Sequence, residues 1–343
     1  MWSCGALRTM RNVSTSTRRV RWGIVGPGRI VVNQIAPALL ASPGSEIVAC
    51  AASSLDKAQA FGDRFGVSRC YADYRALVRD PNVDVVFVAT PNDLHYPVVL
   101  AAANAGKHVL CEKPLAMRVD EGQAMVDACR SAGVQLRVGF YIRLEAIMER
   151  IRNLLGAGVI GRPLAISMAR NGPALLRSGW RLEGSQGGAL FDMAVHLLDL
   201  VEWLSGESLV EIAASSHPDR RDGLPDDTVA ILGVLRGGCQ VQLRASRETP
   251  HAANDLVIEG ERGMIATSAL RWSDAYQLRI AGDTGTRVET IPATPAYSLE
   301  LQLFERELTG EVCGLAAGED GVRAIVLAEA VHAAIVTRRM VAV

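Results

Sequence analysis

Short apolar runs alternate with helix-length segments between residues 20 and 140, and this alternation constrains the fold more than any other feature. The predicted strands span 20–26, 46–53, 84–90, 108–112 and 134–140. The predicted helices span 29–41, 55–66, 95–105 and 118–132. The strands are rich in Val, Ile and Ala without polar alternation, which is typical of a parallel sheet buried on both faces. We therefore expect a doubly wound α/β domain over residues 20–140.

Beyond residue 140 the pattern changes to successive strands joined by short turns that contain Gly and Asp. The predicted strands span 163–171, 209–217, 228–236, 239–246, 255–263, 264–270 and 276–282. The predicted helices span 145–157, 188–204, 298–310 and 319–337. Runs of strands with short turns indicate an antiparallel sheet. We therefore expect a separate α+β domain over residues 141–343.

Composition and charge exclude several classes of protein. The chain has 343 residues and a net charge of −1, with 49% hydrophobic and 21% charged residues. No basic stripe with interleaved aromatic residues occurs, which argues against a nucleic-acid partner. No run approaches ~18 consecutive apolar residues, so we expect no membrane span. Residues 1–19 carry arginines and no acidic residue, so we expect a disordered leader or an over-called start, with a transit peptide as the alternative.

The cysteines are scattered along the chain and include no CxxC pair. They occupy positions 4, 50, 70, 111, 129, 239 and 313. Most lie in apolar runs, which is typical of small buried side chains in a reducing compartment. We therefore expect a cytoplasmic protein.

A glycine-containing turn, "GPGRIV" at 26–31, follows the first strand and opens a helix. Gly26 permits the tight turn, and Gly28 lets the backbone approach a pyrophosphate at the positive end of the helix. The third glycine of the dinucleotide motif is absent, since Val31 stands in its place. The turn predicts a dinucleotide site; the alternative is a strand–helix turn that needs glycine for steric reasons.

The end of the second strand indicates which dinucleotide is preferred. An acidic residue at this place accepts hydrogen bonds from the ribose of NAD and repels the 2′-phosphate of NADP. Here the residues are Ser53 and Ser54, with Lys57 one helical turn later. Hydroxyl donors and a cation favour NADP. The alternative is a serine that caps the helix beside a solvated lysine.

A lysine stands at the end of the apolar strand 108–112, where "EKP" places Glu112, Lys113 and Pro114. Ligands of open α/β sheets lie at the carboxyl ends of the strands, and "TPNDLH" at 90–95 ends the neighbouring strand. Lys113 can donate a hydrogen bond to a substrate oxygen that becomes an alkoxide during hydride transfer. The alternative is a Glu-Lys pair that caps a strand on the surface.

A second polar cluster lies in "GGALFDMAVHLLDL" at 187–200, an apolar helix pattern with Asp192 and His196 four residues apart. Residues at this spacing share one face of an α-helix. A carboxylate beside an imidazole orients it and raises its pKa, which suits a proton shuttle. A metal site would need about three or four protein ligands, so we favour acid–base chemistry and expect no metal. A histidine buried in a helix core is the third interpretation.

Together these motifs resemble the Gfo/Idh/MocA oxidoreductases. The resemblance runs from about Val20 to the C-terminus and includes "GIVGPGRI", "TPNDLHYPVVLAAANAGKHVLCEKPLA", "GVIGRP", "GGALFDMAVHLLD" and "YSLELQLFERELTG". The "EKP" and "GG…DxxxH" segments are specific in combination. Within the family, "GWRL" at 179–182 resembles the NADPH-dependent 1,5-anhydro-D-fructose reductase branch.

The resemblance implies a Rossmann domain followed by a large open-faced, mostly antiparallel sheet that mediates assembly into a homodimer or homotetramer. It assigns catalysis to Lys113, Asp192 and His196. It assigns cofactor contacts to Gly26, Pro27, Gly28, Arg29, Ile30, Ser53, Ser54, Lys57, Thr90, Pro91, Asn92, His95, Glu112, Lys113, Trp180 and Arg181. It assigns substrate contacts to Lys113, Arg143, Asp192, His196 and Tyr297. Ser53 stands where many NADP-using relatives carry arginine, whereas Lys57 matches a basic position of the anhydrofructose reductase branch.

These features predict an NAD(P)-dependent oxidoreductase, with NADP favoured, that acts on a secondary alcohol or ketone of a sugar, cyclitol or related polyol. One alternative is a glycosidase or lyase that oxidises a sugar transiently with tightly held NAD, and net consumption of NAD(P)H would separate the two. Another alternative is a non-catalytic NAD(P)-binding sensor. The presence of Lys113, Asp192 and His196 argues against a sensor.

Overall fold

The computed structural model of the protein describes residues 19–172, 187–218, 225–249, 251–270, 273–283 and 285–343. The strands in these ranges form two sheets, and helices pack against both. No helix in the same ranges is both long enough and apolar enough to cross a membrane.

The first sheet has six strands, and every pairing in it is parallel. The strands are β1 (Val20–Val25), β2 (Ser45–Ala51), β3 (Arg69–Tyr71), β4 (Val85–Val88), β5 (His108–Cys111) and β6 (Leu136–Val138). Their order across the sheet is β3-β2-β1-β4-β5-β6. The predicted parallel sheet is confirmed. Because the order reverses between β1 and β4, a crevice is expected at the carboxyl ends of these two strands.

Helices follow the strands of the first sheet. They are α1 (Ala36–Ala41), α2 (Leu55–Phe65), α3 (Tyr74–Val78), α4 (His95–Asn104) and α5 (Val119–Ala132). A π-helical segment, Val31–Ile35, leads into α1. Helix α2 ends at Gly66, whose φ of 74° is a left-handed conformation that glycine adopts without steric penalty.

The second sheet has nine strands in the order β14-β13-β12-β11-β7-β10-β9-β8-β15. The strands are β7 (Pro163–Asn171), β8 (Leu209–His217), β9 (Thr228–Leu235), β10 (Gln240–Ser246), β11 (Leu256–Gly260), β12 (Gly263–Thr267), β13 (Ala275–Gly282), β14 (Gly285–Pro292) and β15 (Val341–Ala342). All pairings are antiparallel except that of β7 with β10. The mostly antiparallel sheet is therefore confirmed. The strands β10 and β11 run in opposite directions on either side of β7, so β7 must be parallel to one of them, which is β10.

Helices cover one face of the second sheet, and the other face carries exposed side chains within the described ranges. The covering helices are α6 (Ala146–Gly156), α7 (Val195–Ser205) and α9 (Gly318–Thr337). Strand β10 shows the alternation, because Val241 and Leu243 are buried in the core whereas Gln242 and Arg244 are exposed. The period of two directs every second residue to the core face.

The second half of the chain also contributes to the core of the first sheet. Helix α8 (Ala296–Leu308) brings Phe304 to Trp22 of β1, with ring centroids 5.6 Å apart. Helix α9 adds Ile325 to the cluster that contains Val126 of α5. The division into residues 20–140 and 141–343 stays a prediction, and these contacts cross it.

The sequence patterns missed four short or exposed elements: β3, α3, β14 and β15. Strand β3 has three residues, α3 has five and β15 has two, so none carries a periodic signal. Strand β14 exposes most of its residues, and its sequence therefore lacks the apolar alternation by which strands are recognised.

Candidate active site

Gly26 forms the turn at the end of β1 and joins three strand ends. Its φ is +84°, and a Cβ there would lie 2.7 Å from the carbonyl carbon of Ala89 and from the amide nitrogen of Thr90. Its own N–H donates to the carbonyl oxygen of Ala51 at the end of β2. Gly26 is therefore required for steric reasons, because any side chain would push β4 away from β1.

The rest of this turn, Pro27 to Ile30, leads directly into the helix before α1. The N–H of Gly28 donates to the carbonyl oxygen of Gly26 at 2.7 Å. A Cβ on Gly28 would come no nearer to the surrounding protein than 3.9 Å. Gly28 and Arg29 are exposed, so the space in front of them can admit a ligand. The steric interpretation of the motif therefore applies to Gly26, whereas the interpretation as a dinucleotide site applies to Gly28.

Ser53, Ser54 and Lys57 lie at the carboxyl end of β2. The Ser54 hydroxyl accepts a hydrogen bond from the Lys57 N–H at 3.4 Å and caps α2, as the alternative interpretation predicted. The Lys57 ammonium donates to the Ser53 hydroxyl at 3.0 Å, and both side chains are exposed. A hydroxyl and a cation are therefore available together at this strand end.

The turn after β4 runs from Thr90 through Pro91 and Asn92 to His95. The Thr90 hydroxyl is buried and has no hydrogen-bond partner among the described residues. His95 is 1% exposed, with Nδ1 2.7 Å from the Pro114 carbonyl oxygen and Nε2 3.1 Å from that of Thr90. Burial lowers the pKa of His95. The ring of His95 therefore joins the turns that contain Thr90 and Pro114, and its cofactor contact stays a prediction.

These residues fit a dinucleotide. The open space at Gly28 and the helix start behind it suit a pyrophosphate, and the Ser53–Lys57 pair suits the adenosine ribose. The Thr90 hydroxyl is a buried donor without a partner in the described residues, and Glu112 lies beside the same turn because its N–H donates to the Val88 carbonyl oxygen. In the described ranges no three His, Cys, Asp or Glu side chains form a group that could hold a metal ion.

Lys113 links the first sheet to the second half of the chain. Its ammonium donates to the backbone carbonyl oxygen of Asp192 at 2.8 Å, across a sequence separation of 79 residues. Asp192 belongs to a π-helical segment, Leu190–Ala194, that leads into α7. The structure thus brings Lys113 to the start of the helix that carries His196.

His196 is 2% exposed and packs edge-on against Phe140 and Tyr141, with ring centroids at 6.0 and 5.5 Å. Its Nδ1 is buried without a hydrogen-bond partner in the described ranges. Burial lowers the pKa of His196 well below its usual value, and the positive charges of Arg170 and Lys113 lower it further.

The prediction that Asp192 raises the pKa of His196 is wrong. Complete burial and two neighbouring cations set this pKa instead. The imidazole is therefore neutral at neutral pH.

Tyr297 joins an aromatic cluster beside His196. Its ring stacks on Tyr141, with centroids 4.5 Å apart and planes inclined by 28°. Burial raises the pKa of Tyr297 well above its usual value, and the neighbouring Tyr141 and Glu112 raise it further. The predicted substrate residue Tyr297 therefore lies against the same cluster as the predicted proton shuttle.

Arg143, a predicted substrate residue, is engaged in an ion pair. Its Nε donates to Asp199 Oδ2 at 2.8 Å, and its Nη2 lies 3.3 Å from Asp320 Oδ1. Burial raises the pKa of Asp199 to about 6, although the Arg143 guanidinium opposes that shift. Arg143 therefore pairs with a buried carboxylate one turn beyond His196, and its substrate contact stays a prediction. Trp180 and Arg181, predicted to contact the cofactor, lie outside the described residues.

Sequence reasoning missed two polar side chains of this region, Arg170 and Glu300. Arg170 Nη2 donates to the Tyr141 hydroxyl at 3.0 Å. Glu300 is 2% exposed; burial raises the pKa of its carboxyl well above the usual value, and Glu112 raises it further. The sequence did contain a signal for both, because each charged residue occupies a position that the periodic pattern assigns to the core. Arg170 is in phase with Ile166 and Met168 on β7. Glu300 is in phase with Ala296 and Phe304 on α8.

Comparison with known proteins relates this geometry to a family. The model of an oxidoreductase family with an NAD-binding Rossmann fold matches residues 20–140, and that of the GFO/IDH/MocA C-terminal domain matches 148–266. The chain is 32% identical to 1,5-anhydro-D-fructose reductase of Ensifer adhaerens, over 88% of this chain and 92% of that protein. It is 33% identical to trans-1,2-dihydrobenzene-1,2-diol dehydrogenase of Mus musculus, over 71% and 73%.

A solved structure shows the same architecture. The crystal structure of aldose-aldose oxidoreductase from Caulobacter crescentus, complexed with glycerol, superposes with a TM-score of 0.86 and 26% identity. The match covers 95% of this chain and all of that one. Since both domain models match and a relative is 32% identical over most of its length, the chain belongs to the Gfo/Idh/MocA family of NAD(P)-dependent oxidoreductases.

Proposed function

We propose that the protein transfers hydride between a nicotinamide cofactor and a secondary alcohol or ketone of a sugar, cyclitol or related polyol. The hydrogen bond of 2.8 Å between Lys113 and the Asp192 carbonyl oxygen carries the proposal. It holds an ammonium group of the cofactor crevice beside the helix of His196. The names of the relatives in Ensifer adhaerens and Mus musculus, a reductase of an anhydrosugar and a dehydrogenase of a cyclic diol, support it.

Each side chain has a distinct role in this proposal. A nicotinamide cofactor held by the crevice would supply or accept the hydride. Lys113 donates a hydrogen bond to the substrate oxygen and stabilises the negative charge that develops there. His196 exchanges the proton of that oxygen, and its lowered pKa keeps the ring neutral and able to accept a proton from an alcohol. Asp192 orients the segment through the contact of its carbonyl oxygen with Lys113.

Turnover with a substrate panel tests the reaction. Purified protein is mixed with NADH or NADPH and with keto forms of sugars and cyclitols, and the nicotinamide absorbance is followed. Lys113→Met should lower turnover about 10²- to 10³-fold, because an oxyanion donor is lost, while cofactor affinity is retained. A variant with more than about half of the unmodified turnover would remove Lys113 from the mechanism. Product formation without net loss of NAD(P)H would instead indicate a redox-assisted lyase or glycosidase.

We also propose that NADP is preferred over NAD. The support is the Lys57 ammonium, 3.0 Å from the Ser53 hydroxyl at the end of β2, with no acidic residue at 51–54 to repel a 2′-phosphate. One lysine without a bidentate arginine favours a preference of only several-fold. Fluorescence titration of the protein with NADPH and NADH measures it, and equal affinities would contradict the proposal.

Assembly through the open face of the second sheet is a further part of the proposal. Leu232 on β9 is 57% exposed and lies opposite the exposed Gln242 of β10 on this face. Burial of such side chains against a second copy would form a homodimer or homotetramer. Light scattering of the purified protein measures its mass, and a monomer would contradict the proposal.

We also propose a cytoplasmic location, which is in keeping with the free thiols of the described cysteines.

A further inference from the structure

Arg170 is a cation on the core-facing side of β7. Ile166 and Met168 are buried on this side, and Arg170 is the next residue in phase with them. A charged group on such a face is unfavourable unless it is paired and hydrogen-bonded. Arg170 is therefore expected to have partners that pair with its charge and accept its hydrogen bonds.

The partners of Arg170 are incomplete. Its Nη2 donates to the Tyr141 hydroxyl at 3.0 Å, whereas its Nη1 is buried and has no hydrogen-bond partner among the described residues. Other arginines with mostly buried side chains are matched by a carboxylate: Arg143 by Asp199, Arg247 by Asp227 and Arg137 by Glu307. No ion pair found within the described ranges includes Arg170.

The location of Arg170 is beside the proposed reaction site. The Tyr141 that holds Nη2 also packs edge-on against His196 and stacks on Tyr297. The charge of Arg170 acts on His196, as does that of Lys113. Two cations thus act on one imidazole, and Lys113 is already assigned to the reacting oxygen.

We propose that Arg170 binds an anionic group, a carboxylate or a phosphate, carried by the substrate. The substrate would then be an acidic sugar or polyol, and this inference rests on the proposed function. A planar guanidinium with an unused N–H edge matches the geometry of both anions. The Tyr141 hydroxyl fixes the guanidinium before the substrate arrives, which reduces the entropy lost on binding.

Binding measurements with matched ligands test this assignment without requiring turnover. Neutral sugars and polyols are each compared with their carboxylate and phosphate derivatives, by calorimetric titration of the protein in the presence of NADPH. At least one acidic derivative should bind about tenfold or more tightly than its neutral parent. In Arg170→Met this acidic ligand should lose about ten- to a hundredfold in affinity, while the neutral parent changes less than about twofold.

Two further variants serve as controls. Arg279→Met removes the same side chain from the exposed face of β13 and should leave the binding of acidic ligands unchanged. Arg170→Lys keeps the charge without the planar fork and should bind the acidic ligand with intermediate affinity. It also keeps the test decisive if Arg170→Met does not fold, which its thermal unfolding curve would show.

The outcomes separate this inference from the proposed function. Failure of every acidic ligand to bind more tightly than its neutral parent overturns it. The inference is also overturned if Arg170→Met lowers the affinity for acidic and neutral ligands equally, or lowers neither affinity. If acidic ligands bind through Arg170 but no hydride transfer occurs, the proposed function fails and the anion site stands. The carboxylate and phosphate series show which anion is preferred.

Discussion

Alanine substitutions at Gly26 and Gly28 should separate the two roles of the glycine turn. In Gly26→Ala the residue must keep a φ near +84°, a left-handed conformation that costs about 1–2 kcal/mol. The new methyl group would also lie 2.7 Å from backbone atoms of Ala89 and Thr90, which cannot rotate away. Displacement of packed atoms typically costs about 1–3 kcal/mol. We therefore expect a loss of roughly 2–5 kcal/mol in the free energy of unfolding, as the sum of these two costs.

Gly28→Ala is the matched control. The same methyl group comes no closer than 3.9 Å to the protein, and the φ of Gly28 is not positive. Its stability should therefore stay within about 0.5 kcal/mol of the unmodified protein. The methyl group would enter the space assigned to the pyrophosphate, so the affinity for NADPH should fall about ten- to a hundredfold through weaker backbone hydrogen bonds to the phosphate.

Chemical denaturation and fluorescence titration with NADPH measure the two effects separately. The reasoning is refuted if Gly26→Ala unfolds at the same denaturant concentration as the unmodified protein. It is equally refuted if Gly28→Ala binds NADPH as tightly as before, because the open space in front of that residue would then have another use.

Two further predictions concern His196 and Lys57. Because the folded pKa of His196 is lowered, alcohol oxidation should be independent of pH around neutrality and should fall only at acidic pH, where the imidazole becomes protonated. His196→Asn should remove this acidic limb together with most of the activity, and an ionisation near neutrality in the pH profile of the unmodified protein would contradict the burial argument. Lys57→Ala should lower NADPH affinity several-fold and leave NADH affinity unchanged, whereas Lys57→Arg should retain the preference. An equal loss of affinity for NADPH and NADH would show that Lys57 contributes only to the structure of α2.

Local patterns in the sequence were sufficient for much of the fold. The strands of the first sheet are buried on both faces, so they appear as continuous apolar runs, and β1, β2, β4 and β5 could be recognised from them. Strand ends then indicated where Gly26 and Lys113 would lie, because ligands of such sheets bind at the carboxyl ends of the strands. The cap at Ser54 is a local hydrogen bond and was likewise visible as an alternative.

Only the tertiary structure decided the electrostatics of the site. The pKa of His196 depends on complete burial and on Arg170 and Lys113, which lie far from it in sequence. The pairing of Arg143 with Asp199 likewise depends on how the segment that contains Arg143 packs against α7. Spacing along one helix suggested a carboxylate that raises the pKa of His196, yet desolvation and distant cations act in the opposite direction. Such terms depend on distances through space and on exclusion of water, neither of which is encoded in a periodic pattern of side chains.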